Sequence, residues 1–306
     1  MATKTSKQKN STKKMIETAL ATGGEHLGDI VMWSLPEATI KADALKAAWV
    51  GGGLDEKHLP VTPTPYRALV DATVRALQGA EGYEYERAGS DAAESILAVM
   101  KVEVLAPGKV KSTQEARVAV DDKTGQFLTD DARHEVVRSI RAKYDTLYGC
   151  FLPRDITKAI LKVVEACAGV AIRESGGVYW IPRTAAATVR TLETVVDSIG
   201  EATFDVIPVH QSTGAANAIG RAAKGSIEAE LTTLKEELAK FATDSKVRSS
   251  TIQARIDTFQ ALRARASLYH SILAVEVDDL GVAMEELEEK AAKMLAAVEE
   301  KEGVAA

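Results

Sequence analysis

Along the first two-thirds of the chain the spacing of apolar residues alternates between a helical and a strand period, and along the last third it stays helical. Met15 to Ala21 predicts a short helix. The apolar run from Asp29 to Leu35, closed by Pro36, predicts a strand. A helix is expected over Ala38 to Val50, stopped by Gly51, Gly52 and Gly53. Thr and Pro start signals then precede Leu69, Val70, Val74 and Leu77 at helical spacing, with Gly79 as the stop. From Tyr83 to Leu128 the period becomes two, with Ile96, Ala98, Met100, Val102 and Val104 in alternation. Pro107-Gly108 and Asp121 to Gly125 supply turn chemistry between these runs, so an antiparallel meander of three or four strands follows. Helices return over Asp130 to Tyr148, with Thr129 or Asp130 as the cap, and from Pro153 to Ala168.

The stretch RESGGVYWIPR, Arg173 to Arg183, reads as a tight hairpin. Val170 and Ile172 alternate before Ser175-Gly176-Gly177, and Val178 to Ile181 continue after it, with glycine supplying the positive backbone angles. An amphipathic helix follows through Val189, Leu192, Val196 and Ile199, then a strand from Phe204 to Val209. Beyond Gln211 apolar residues recur only in steps of three and four. Leu231, Leu234 and Leu238 make one stripe and Ile256, Phe259 and Leu262 another, the candidate interface of a helix and its return. Thr243 to Ser250 is expected to turn the chain and Asp278 to Gly281 to be a weaker break. The fold class predicted is α+β, an antiparallel sheet with packed helices followed by a long C-terminal helical hairpin or coiled coil. The chain divides on this basis into an arm over 1–14, a head over 15–210 and a tail over 211–302.

Composition narrows the chemistry. At 306 residues and 46% hydrophobic content the chain is long enough and apolar enough for a sizeable core. Cys150 and Cys167 lie too far apart for a CxxC motif and sit in apolar surroundings, which predicts buried reduced thiols. The first residues have no apolar run behind their lysines and no later window suits a membrane span, so a soluble, cytoplasmic protein is expected. Lys4, Lys7, Lys9, Lys13 and Lys14 precede the first acid, and without them the net charge of −6 falls to about −11. These five are candidate phosphate contacts, salt-sensitive and sequence-independent, or else a solvated tail.

Catalytic patterns do not assemble. His134-Glu-Val-Val-Arg138 begins like a zinc-protease helix but carries Arg138 where the second His is required. Gly108-Lys109-Val110 lacks the rest of a phosphate loop, and there is no GxSxG elbow. No cofactor or metal is expected, and an enzyme is the less favoured class. Arg173, Tyr179, Trp180 and Arg183 remain a candidate binding surface for a base or phosphate. Strand alternation places Tyr179 and Trp180 on opposite faces, however, and the competing reading packs Trp180 into the core with Tyr179 over a helix.

GGVYWIPR followed by an amphipathic helix and FDVIPV, together with the earlier GDIVMWSL, resembles a group of uncharacterised proteins of bacteria and their phages over about residues 25–240. The resemblance implies a fold and a source, and no mechanism. The function expected is that of a non-enzymatic interaction or scaffold protein, assembling with itself or another protein through its long helices. The alternative is a nucleic-acid-associated accessory protein using the Lys-rich arm.

Overall fold

The computed structural model describes residues 25–36, 39–91, 94–173, 177–243, 247–273 and 278–305. The arm over 1–14, the helix expected at Met15 to Ala21, and Glu174, Ser175 and Gly176 of the hairpin lie outside them. The protein is α+β with antiparallel sheets. In chain order its elements are β1 (His26–Ser34), β2 (Ile40–Lys41), α1 (Ala42–Gly51), α2 (Pro65–Leu77), β3 (Tyr83–Asp91), β4 (Glu94–Ala106), β5 (Lys109–Asp121) and β6 (Phe127–Thr129). They continue as α3 (Glu135–Leu147), β7 (Cys150–Phe151), α4 (Pro153–Ala166), β8 (Val170–Ala171), β9 (Val178–Pro182), α5 (Ala186–Asp197) and β10 (Thr203–His210). Three long helices close the chain, α6 (Thr213–Phe241), α7 (Ser249–Leu273) and α8 (Asp278–Ala305). Two compact units result, and the split falls inside α4, at Leu161 and Lys162.

One unit comprises residues up to Ser34, Lys162–Val196 and those from Thr203 onward. Its sheet runs β10-β1-β9-β8, all antiparallel, so the earliest strand is central. Leu27, Val170 and Trp180 from this sheet share a core with Ile219, Ile227, Leu231, Leu234 and Leu238 of α6, Ile252, Ile256, Phe259, Leu262 and Tyr269 of α7, and Met284, Leu287 and Ala291 of α8. The apolar stripes read from the sequence are thus buried inside the chain. Ser212 starts α6 by accepting a hydrogen bond from Ala215 N at 3.2 Å, which satisfies one of the orphan donors of a helix start. Asp278 to Gly281, expected as a break, belong to the first turns of α8.

The other unit contains 35–161 and 197–202. Here the meander β3-β4-β5-β6 packs Leu97, Val99, Val118 and Val120 against Leu69 and Ala72 of α2 and Val137, Ile140 and Tyr144 of α3. Thr64 caps α2 by accepting from Arg67 N at 3.2 Å, with Pro65 at the position where its missing N–H costs nothing. Helix α3 begins later than the pattern suggests, and neither Thr129 nor Asp130 caps it. Asp130 Oδ1 accepts from Arg117 N of β5 at 2.7 Å, and Asp131 Oδ1 accepts from Arg133 N at 2.9 Å, so one carboxylate is spent on the neighbouring strand and the other on the turn before the helix.

Candidate functional site

The residues of RESGGVYWIPR do not form one surface. Trp180 is 0% exposed and its ring lies 6.1 Å from that of Tyr269, whose hydroxyl donates to the Ala168 carbonyl at 2.9 Å. Tyr179, on the opposite face of β9, is half-buried and stacks on Trp33 at 5.4 Å and 13°. Trp33 stacks in turn on Phe204 at 6.0 Å and 6°. This aromatic row crosses β9, β1 and β10. No local pattern announces it, because it depends on a central β1 between two strands that follow it by more than a hundred residues. Arg183 pairs with Glu25 and also donates to the His26 carbonyl at 3.3 Å, while Arg173 is exposed. Lys4, Lys7, Lys9, Lys13 and Lys14 lie outside the described residues.

At the start of β1 a polar cluster forms around Asp29, which is 1% exposed. Its Oδ1 lies 3.3 Å from His26 Nε2 and 3.6 Å from the Arg190 guanidinium, which also holds Glu193 at 3.0 Å. Arg190 brings compensating charge to a carboxylate that burial alone would make costly. Gly28 beside it admits no side chain, since a Cβ would sit 2.2 Å from the Ile181 carbonyl and 2.7 Å from Trp180 Nε1. In the other unit Asp155, 2% exposed, accepts from Arg67 at 2.6 Å and from Leu152 N at 3.1 Å, while Arg154 and Arg67 both reach Asp71. These ion pairs tie α4 to α2. Around Glu115, Tyr83 donates at 2.9 Å and His134 Nε2 lies at 3.0 Å, so the histidine of the HEVVR motif is fastened to a carboxylate. The hydrogen bond with His134, and then that from Tyr83, holds the Glu115 carboxyl below its ordinary value. Among the described residues no three His, Cys, Asp or Glu side chains gather as a metal site. Cys150 is buried and Cys167 half-buried, and neither is disulfide-bonded.

Among the described residues, a groove and a β ribbon stand apart from these pairings. A groove of about 420 Å³ lies among the end of α4, α6 and α7, with Ala261, Leu262, Ala264 and Leu268 along its wall and Glu165, Glu230 and Arg265 beside them. Arg265 and Glu230 pair at 2.5 Å. The second feature is a β ribbon. Strands β4 and β5 are 13 residues each, about 40 Å at ~3.3 Å per residue, whereas β3 pairs with β4 only as far as Lys101 and β6 with β5 only from Val118. Beyond those points the two strands pair only with each other around Pro107-Gly108. Glu103 faces Lys111, and Val104 faces Val110. Val104, Leu105 and Val110 are 77%, 65% and 60% exposed.

Among the described residues these features define an α+β protein with ion-paired polar clusters, in one of which the buried Asp29 Oδ2 has no hydrogen-bond partner, together with a ribbon that has an exposed apolar tip and a groove. The chain belongs to a family of unknown function, DUF6744, which it matches over residues 26–300. No curated protein and no solved structure matches it. Among the described residues no helix is long and apolar enough to cross a membrane.

Proposed function

We propose that this is a non-enzymatic interaction protein that assembles with further copies of itself, and that the β4–β5 ribbon is its contact surface. The observation carrying this reading is the exposed apolar tip. Six of the seven residues from Val104 to Val110 are uncharged and apolar or glycine, and all seven are exposed. A two-stranded ribbon is marginal in water unless something covers its apolar side, and an exposed apolar patch on a projecting element marks a contact site. Edge-to-edge growth of the sheet fits less well. Lys109 and Lys111 guard the β5 edge, and the register shift opposite Val99 and Met100 interrupts it at Glu115.

On this reading α6 and α7 act as a helical hairpin that backs the sheet of their own unit. Leu231, Leu234, Leu238, Ile256, Phe259 and Leu262 are buried in the core of the chain, which leaves those stripes no apolar surface for a partner. The nucleic-acid alternative is separated from assembly by salt. Light scattering on the full chain at low and high ionic strength, with and without single-stranded and duplex DNA oligonucleotides, is expected to give a mass above the 32.7 kDa monomer that persists in salt and no DNA complex. A monomer that binds DNA with steep salt dependence would replace this reading with the alternative. A monomer that binds no DNA would remove self-assembly.

A further inference from the structure

The geometry points to a specific seat for the ribbon: its tip in one copy inserts into the groove among α4, α6 and α7 of a second copy. This rests on the reading of the ribbon as a contact surface. The tip is exposed and mostly apolar, with Val104 and Val110 opposite each other and Leu105 in the register shift beside them. Such a finger requires a concave apolar receptor rather than a flat one. The groove provides concavity because Ala261 and Ala264 are exposed alanines beside the larger, half-buried Leu268, so short side chains open room on the helix surface.

Charge matches as well as shape. Lys109 and Lys111 flank the apolar tip and are exposed. The groove has two carboxylates, Glu165 and Glu230, against one guanidinium, Arg265, and Arg265 is already paired with Glu230. Glu165 is left to meet a lysine at the rim, where an ion pair steers the approach more than it adds affinity. The contact joins two different surfaces of the same molecule, so every copy both donates a ribbon and receives one. Assembly then proceeds as a reciprocal two-fold exchange, a ring or an open chain.

The test uses two full-length variants. Leu105→Asp disables the ribbon and leaves the groove, while Ala264→Trp fills the groove and leaves the ribbon. Both positions are exposed, so each variant is expected to melt like the wild type. Each alone is expected to run as a monomer under conditions where the wild type assembles. Mixed in equal amounts, they are expected to form a one-to-one dimer and nothing larger, since only one intact ribbon and one intact groove remain per pair. If Leu105→Asp disperses the assembly but Ala264→Trp does not, the ribbon stays the contact surface and its seating in this groove is overturned. If neither variant disperses it, both readings fall. A mixture that stays monomeric also overturns the groove assignment.

Discussion

Gly28 shows how a single absent methyl group holds the sheet together. With the Ile181 carbonyl and the Trp180 indole both within 3 Å of where a Cβ would stand, Gly28→Ala must push β1 away from β9 or turn Trp180 out of the core. A loss of about 3 kcal/mol is expected, measurable by urea unfolding with an unchanged slope. A variant as stable as the wild type would mean that β9 yields without strain. Glu115 offers a titration in place of an energy. Its carboxyl is depressed below 4.5, first by His134 and next by Tyr83. A depressed folded value stabilises above the unfolded pKa, and that contribution disappears as pH falls through the folded value. In His134→Ala the Glu115 titration, followed by NMR, is expected to move back up towards 4.5. No movement would place the cause elsewhere.

Among the elements, α6 and the β8–β9 hairpin test the packing most cleanly. Leu234 is 5% exposed in the core while its neighbour Lys235 is exposed. Leu234→Asp is expected to cost at least about 3 kcal/mol and Lys235→Asp to be near neutral, by thermal or urea melts. Equal effects would contradict the assigned face. Gly177 holds φ +63° with open space where a Cβ would be, so Gly177→Val should cost about 1–2 kcal/mol through its backbone alone. Periodicity made these elements legible. Steps of three and four found the stripe of Leu231, Leu234 and Leu238, and alternation found the meander with its turn at Pro107-Gly108. What periodicity lacks is any record of partners distant in the chain. It could not show that β1 sits between β9 and β10, or that Tyr179 and Phe204 both stack on Trp33. Nor could it show that Asp130 serves β5 and Asp131 the turn before α3, instead of the helix. The groove was equally hidden, because its alanines look like ordinary helix formers until α4, α6 and α7 meet.

For the molecule as a whole, the distribution of covered and uncovered apolar surface is what points to assembly. The long helices, the segment whose composition most suggests a coiled coil, bury their stripes inside the chain, while a short stretch of meander around Pro107 projects its valines and a leucine into water. A heptad-like pattern reports that a helix has an apolar face and is silent on whether the face is filled by the same chain or another. Assembly through the ribbon should therefore depend on Leu105 and not on ionic strength. Chromatography coupled to light scattering, run over a wide concentration range on the wild type and on Leu105→Asp, tests this directly. The account predicts a wild-type mass that rises above 32.7 kDa with concentration and a variant that stays at 32.7 kDa with an unchanged melting temperature. A wild type fixed at 32.7 kDa at every concentration, or a variant that assembles as the wild type does, would contradict it.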